Sequence, residues 1–256
     1  MNMGNIYKSA GEISRAIDAY TQSLAMAQQI SNKIMEAHAL GSLGFAYSGL
    51  SDYTTANNYF QQALALAEQN GDVNAKGTYL GNIGLVYKKW GNFNKALEKM
   101  QEALTIHQKI GNRQGMILHY TNMANIYGAR GDYLKALDYH KRALEVSQKI
   151  NARDQTSRGL GNIGDVYGNI GEVDEALKYY QQTLRLKRAI GFRDGEVAVL
   201  ISIGKIHKIK GEYAAAADSF EASLQVARAI KNEEDESEAL IAIGDLQAKR
   251  KIIPKP

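Results

Sequence analysis

The chain has 256 residues, and its 31 lysines and arginines against 27 aspartates and glutamates leave a net charge of +4, too small to favour nucleic-acid or membrane binding. It contains no cysteine, which excludes a disulfide scaffold, a thiolate zinc site and a cysteine nucleophile. The two prolines are Pro254 and Pro256, so residues 1–253 carry no helix breaker and predict an all-α protein.

A forty-residue repeat runs through the chain without insertions or deletions. Its second half begins at residues 11, 51, 91, 131, 171 and 211, and its first half occurs once more at 241–250. We therefore predict one solenoid domain over residues 1–250, followed by a basic tail at 251–256. In chain order, its predicted hairpins lie at about 1–30, 37–70, 77–110, 117–150, 157–190 and 197–230, with a final unpaired helix at 233–250.

Each repeat carries two apolar stripes with helical spacing. Positions i, i+3, i+4 and i+7 of the first helix hold Leu80, Ile83, Gly84 and Tyr87 in the third copy. The second stripe consists of Ala96, Met100, Ala103 and Leu104. Gly91 is predicted to form the turn between the helices, and Gly111 to form a left-handed cap after the second.

Small residues recur where the two helices of a hairpin should cross. In the first helix they are Gly4, Gly44, Gly84, Ala124, Gly164, Gly204 and Gly244; in the second they are Ala16, Ala56, Ala96, Ala136, Ala176 and Ala216. Because these residues lack bulk, we expect the helix axes to approach closely. The adjoining space is then filled by Tyr7, Tyr47, Tyr87, Tyr127 and Tyr167.

At these positions the chain resembles the tetratricopeptide repeat (TPR) family, in the long-repeat form of spindle-orientation scaffolds, kinesin light chains and bacterial signalling proteins. The resemblance implies a right-handed α-solenoid whose first helices line a concave groove. The sequence departs from the family in its period of 40 rather than 34, and in the residues that replace the usual proline near the end of the second helix. Those residues are Gln28, Glu68, Gln108, Gln148, Arg188 and Arg228.

Polar residues recur on the stripe of the first helix that should face this groove. One position holds Asn2, Ser42, Asn82, Asn122, Asn162 and Ser202, and Asn5 and Asn125 follow one helical turn after two of them. An asparagine amide offers donors and an acceptor, which suits a peptide backbone. The set predicts a ladder that binds an extended peptide, although asparagines that only bond neighbouring helices would give the same pattern.

Charged residues on the predicted groove are unevenly distributed. The basic ones are Lys88, Lys89, Arg158, Lys205 and Lys208, and the acidic ones are Asp165, Glu238 and Asp245. An acidic or mixed peptide would complement this surface, and an ordinary solvated surface is the alternative. The lysine that chaperone adaptors of this family use to bind a terminal carboxylate is replaced by other residues, including Gly41 and Gly81, so no such receptor is predicted.

The sequence nominates no catalytic, metal or cofactor site. Residues 159–164 match a dinucleotide-binding fingerprint, but no strand precedes them and Gly164 is a packing glycine. His140 and His207 stand at packing positions, and His38, His107 and His119 share no metal-ligand spacing. We expect no enzyme activity and no cofactor.

The sequence therefore predicts a cytoplasmic protein–protein interaction scaffold that binds an extended peptide or a partner helix. The alternative is a regulatory or sensor segment of a larger, bacterial signalling enzyme. RNA recognition fits poorly with the 40-residue period and the +4 charge. The end faces carry apolar residues without a further hairpin, namely Met1, Met3, Ile6, Tyr7, Ile243 and Leu246, and these predict self-association or cover by additional native sequence.

Overall fold

The computed structural model describes residues 12–252 of the chain, with side chains described for residues 12–249. Within that range every regular element is an α-helix. The helices are α1 (Ile13–Gln29), α2 (Lys33–Gly49), α3 (Tyr53–Gln69), α4 (Val73–Lys89), α5 (Phe93–Lys109), α6 (Arg113–Ala129), α7 (Tyr133–Lys149), α8 (Arg153–Asn169), α9 (Val173–Ala189), α10 (Arg193–Ile209), α11 (Tyr213–Ile230) and α12 (Glu233–Ile252).

The helices form two compact units, one ending at Arg130 and the other beginning at Gly131. In unit 1, α2 packs on α3 and α4 packs on α5, while α3 also contacts α4. In unit 2, α8 packs on α9 and α10 packs on α11, while α9 also contacts α10. Stacked antiparallel hairpins confirm the predicted fold class. The extent of the solenoid as a single domain stays a prediction.

A residue with left-handed backbone separates consecutive helices at intervals of twenty residues. These residues are Ser31, Ser51, Gly71, Gly91, Gly111, Gly131, Asn151, Gly171, Gly191, Gly211 and Lys231. Glycine predominates because it adopts positive φ without the clash that a Cβ atom causes. The predicted roles of Gly91 (φ 81°) and Gly111 (φ 69°) are confirmed.

The predicted starts of the first helices at residues 37, 77 and 117 were wrong by about one turn. These helices begin at Lys33, Val73 and Arg113, because Asn32, Asp72 and Asn112 cap them. Each capping side chain accepts a hydrogen bond from the backbone N–H three residues later. The starts predicted at 157 and 197 were four residues late in the same way, and α12 continues two residues into the predicted tail.

The small residues lie where the helices cross, as predicted. All six alanines of the second helices, from Ala16 to Ala216, are 0% exposed. A Cβ atom on Gly44 would lie 2.9 Å from the ring of Phe60, and one on Gly84 would lie 2.8 Å from Met100 Cγ. Gly4 and Tyr7 lie outside the described residues.

The residues that replace the family's proline join each second helix to the helix that follows it. Four of them pair with the residue eight positions later: Gln28 with Glu36 (3.3 Å), Glu68 with Lys76 (2.9 Å), Arg188 with Glu196 (3.2 Å) and Arg228 with Glu236 (2.8 Å). Gln108 instead donates to the hydroxyl of Tyr120. These polar pairs therefore connect successive hairpins.

Two histidines are buried against each other in unit 1. His119 Nε2 lies 3.0 Å from His107 Nδ1, and His107 Nε2 lies 3.4 Å from the carbonyl oxygen of Asn74. Gly77 and Gly115 provide the space, since a Cβ on either would clash with the His107 ring. Burial, and secondarily the neighbouring His107, lower the pKa of His119 to about 4.

The final helix buries only part of its apolar surface. Leu246 is 2% exposed and packs in a cluster with Val197 and Ile201, whereas Leu240 and Ile241 are exposed. At the opposite end, Met1, Met3, Ile6 and Tyr7 lie outside the described residues. The predicted self-association stays a prediction. If α12 takes part, the exposed Leu240 and Ile241 would form the contact rather than the buried Leu246.

Enlarging the crossing residue should destabilise the fold. The two helices are close at this point, since a Cβ built on Gly84 would lie 3.1 Å from the carbonyl oxygen of Ala96. Ala96→Leu adds three heavy atoms there, so we expect the free energy of unfolding to fall by about 1–3 kcal/mol. Thermal unfolding measures the effect, with Ala65→Leu on the exposed face of α3 as the matched control. Equal melting temperatures for the two variants would show that the crossing is not tightly packed.

Stability should fall in acid because His119 is held neutral. Its folded pKa of about 4 lies below the ordinary value of 6.5, so the unfolded chain takes up its proton first. The stabilisation is present above about pH 6.5 and is lost as the pH falls towards 4, amounting to about 3 kcal/mol. Urea unfolding at a series of pH values from 7.5 to 4.5 gives the free energy of unfolding at each pH. With decreasing pH this free energy should fall less steeply for His119→Leu than for the unaltered protein. The exposed His38→Leu serves as control, and an unchanged slope in the first variant would contradict the assignment.

Candidate functional site

A groove runs between α2 and α4, the first helices of two successive hairpins in unit 1. Towards the start of α4 it widens into a cavity of about 300 Å³, which we call the N-terminal cavity; its lining includes His38, Ser42, Phe45, Asp72, Thr78 and Asn82. Towards the end of α4 lies a C-terminal cavity of about 230 Å³, lined by Phe45, Ser48, Phe60, Asn82, Leu85, Val86, Lys88 and Lys89. Because Phe45 and Asn82 line both cavities, the two are parts of one α2–α4 groove.

Asn82 occupies the centre of the groove. Its side chain makes no hydrogen bond with any described residue, although the residue is only 7% exposed. The amide oxygen and nitrogen are themselves accessible from the groove, so a peptide can replace water as their hydrogen-bond partner. The helix places the amide there because Asn82 lies next to the core residue Ile83 but on the groove side of α4.

Two lysines border the C-terminal cavity. Lys88 is half-buried and Lys89 is exposed, and neither has a carboxylate within 4 Å among the described side chains. Removal of water from around Lys88 lowers the pKa of its ammonium group. An unpaired, partly desolvated cation beside an apolar cavity attracts an anionic group.

The other predicted groove residues of unit 1 differ from Asn82 in their exposure or their hydrogen bonds. Ser42 lines the N-terminal cavity, but its hydroxyl donates to the His38 carbonyl oxygen at 2.9 Å. Asn122 is half-buried and Asn125 is exposed, and neither side chain forms a hydrogen bond within the described range. Both lie on α6, which contacts α4. Asn2 and Asn5 lie outside the described residues.

In unit 2 most predicted groove residues already have partners. Arg158 pairs with Asp154 at 3.1 Å and Lys205 with Glu238 at 3.8 Å, while Ser202 donates to the Ala198 carbonyl oxygen. The hydroxyl of Tyr180 donates to Asp165 at 2.7 Å. Half-buried Asn162 and Lys208 form neither hydrogen bonds nor ion pairs within the described range.

Sequence reasoning missed one aromatic residue of the groove, misjudged the position of one glycine and did not foresee one buried histidine pair. Gly81, at the position where chaperone adaptors carry their carboxylate-binding lysine, is buried, and a Cβ there would lie 2.4 Å from His119 Cε1. Phe45 was overlooked. It follows Ser42 by three residues, just as Leu85 follows Asn82 in the next repeat, and this shared spacing could have identified it. Sequence reasoning also treated His107 and His119 as unrelated, because a contact between two helices leaves no fixed spacing in the sequence.

The described residues offer neither a metal-binding cluster nor a membrane-spanning helix. They contain no group of three or more histidines, aspartates or glutamates placed to hold a metal ion. In the same part of the chain, none of the helices has both the length and the apolar character that crossing a membrane requires.

Solved structures of low sequence identity share this fold. BtubC (BKLC) from P. vanneervenii is 18% identical with a TM-score of 0.78, covering 86% of this chain and 92% of that one. A Rap protein complexed with competence and sporulation factor is 17% identical with a TM-score of 0.63, covering 96% and 73%. A STAND signal-transduction ATPase with a tetratricopeptide repeat sensor, from Pyrococcus horikoshii, is 17% identical with a TM-score of 0.71, covering 96% and 40%.

Comparison with curated proteins finds no match. The family model of the tetratricopeptide repeat, in contrast, matches residues 1–69, 35–109 and 115–189, which together make up most of the sequence. The matches follow the same repeats whose helices, caps and crossing glycines the structure shows. The chain belongs to the tetratricopeptide repeat family.

Proposed function

We propose that this protein is a non-enzymatic interaction scaffold that binds an extended segment of a partner protein in the α2–α4 groove of unit 1. The observation that carries the proposal is the amide of Asn82, which lines two adjoining cavities and forms no hydrogen bond with any described residue. An extended backbone presents N–H and C=O groups in alternation, and a single amide side chain can bond one of each.

The surroundings of Asn82 suit such a segment better than a small polar substrate. Phe45 offers apolar contact in both cavities and Leu85 in the C-terminal cavity, while Ser42 and Thr78 supply further oxygens in the N-terminal cavity. The unpaired Lys88 and Lys89 favour an acidic or mixed peptide. Asn122 and Asn125 on the neighbouring α6 would extend the same surface.

A second candidate function is that of a sensor within a larger signalling protein. Two similar structures support it: the Rap protein was solved in complex with a competence and sporulation factor, and the STAND protein has a tetratricopeptide repeat sensor. This chain spans 40% of the latter. In this role the α2–α4 groove would bind the signal, and a domain elsewhere would respond.

Removing the asparagine amides of unit 1 should weaken binding without unfolding the protein. Random twelve-residue peptides are displayed and selected on the whole chain, and the affinity of the tightest one is measured by fluorescence anisotropy. Asn82→Ala combined with Asn122→Ala should cost about 2–4 kcal/mol, since each amide forms up to two hydrogen bonds of about 1 kcal/mol. The melting temperature should hardly change, because neither amide bonds to another of the described residues.

The matched control is Asn58→Ala, an exposed asparagine on α3, a second helix. Affinity equal to that of the unaltered protein in the double variant would rule out recognition through the amides. A large fall in its melting temperature would instead assign both asparagines to the scaffold.

A further inference from the structure

The two ends of the α2–α4 groove differ in charge. Asp72 caps the start of α4 and lines the N-terminal cavity, whereas Lys88 and Lys89 end the helix and line the C-terminal cavity. With a rise of 1.5 Å per residue, Asp72 and Lys88 are separated by about 24 Å along the helix axis. A strand advances about 3.3 Å per residue, so about seven extended residues would span that distance.

The two cavities also differ in the side chains that they can accept. The C-terminal cavity is walled by Phe45, Phe60, Leu85 and Val86, with Phe45 packed edge-on against Phe60 at 5.0 Å between ring centroids. An apolar cavity of about 150 Å³ holds a benzene molecule, so about 230 Å³ accommodates one phenyl or branched aliphatic side chain. The N-terminal cavity offers His38, Ser42, Asp72 and Thr78 and suits polar groups.

The cations at the C-terminal cavity have no ion-pair partner among the described side chains. In contrast, Lys76 of the same helix pairs with Glu68 at 2.9 Å, and Lys205 of α10 pairs with Glu238 at 3.8 Å. Lys88 is the more informative of the two unpaired lysines, since it is half-buried and its charge is incompletely hydrated. A carboxylate arriving with a ligand would replace part of this lost hydration and give the ammonium group an ionic partner, in exchange for part of the carboxylate's own hydration.

We infer that the α2–α4 groove is directional: it binds an extended peptide lengthwise, with an aliphatic or phenyl side chain in the C-terminal cavity and an acidic residue beside it at Lys88 and Lys89. This inference rests on the proposed function, because Asn82 must hold the peptide backbone between the two cavities. The opposite end of the peptide lies near Asp72, which repels a carboxylate and accepts a basic or polar group.

The test compares peptide selections on three forms of the full chain. These are the unaltered protein, Lys88→Glu with Lys89→Glu, and a control with the same charge change at two exposed lysines outside the groove, Lys109→Glu with Lys249→Glu. The unaltered protein and the control should enrich acidic residues next to an apolar position, at one end only. The groove variant should lose that preference or select basic residues there.

Two further measurements test direction and cavity filling. A selected peptide should bind at least about tenfold more tightly than the same residues in reverse order, because reversal places its acid near Asp72. Leu85→Trp, which fills the C-terminal cavity from a half-buried position, should abolish the apolar preference while retaining the acidic one.

The outcomes separate this inference from the function on which it rests. If Asn82→Ala selects the same peptides with the same affinity, the proposed function fails. If selection depends on Asn82 but shows no acidic preference, or one that Lys88 and Lys89 do not control, only the directional inference fails. Selected peptides with helical apolar spacing would also overturn it, since a helix does not present its backbone to Asn82.

Discussion

The structure depends on one close contact, that of a first-helix glycine with a large side chain of the second helix. Gly44 meets Phe60, Gly84 meets Met100, Gly164 meets Tyr180 and Gly204 meets Phe220, each within 3 Å of where a Cβ atom would stand. The glycine lets the two helices pack at short range and directs one side of the first helix inward. The other side of α2 and α4 remains free to form the groove that contains Asn82.

The same glycine contact recurs along each unit because the helices are regularly spaced. Left-handed residues every twenty positions end one helix and begin the next, so no helix drifts out of register. Polar pairs such as Glu68 with Lys76 tie a second helix to the following first helix, where the family's usual proline is missing. With hairpin and stacking geometry fixed in this way, neighbouring first helices such as α2 and α4 present equivalent positions side by side. The groove therefore follows from the scaffold and needs no loop of its own.

Periodicity made most of the fold predictable, and its limits explain what was missed. Ala96, Gly91 and Asn82 stand at fixed positions of the repeat, so their places at the helix crossing, in the turn and on the groove side of the first helix could be predicted from the sequence. Phe45 shares the register of Asn125 and Asp165, which were assigned to the groove, and it was missed because groove residues were sought among polar and charged side chains. The His107–His119 pair arises between helices, and the helix starts depended on capping side chains that lie before the apolar stripes. The cavities themselves depend on side-chain volumes that no spacing rule supplies.

The central claim, that a partner segment lies in the α2–α4 groove, is tested most directly by photo-crosslinking from a matched pair of threonines. Thr78 and Thr105 are both exposed, and each donates its hydroxyl to the carbonyl four residues earlier, but only Thr78 lines the groove. With a photoreactive amino acid at one position or the other, the account predicts that a selected peptide crosslinks from position 78 and not from position 105. It also predicts that Asn82→Ala reduces the yield at position 78. Crosslinking from position 105 alone would contradict the account, as would equal yields from the two positions that do not change in Asn82→Ala.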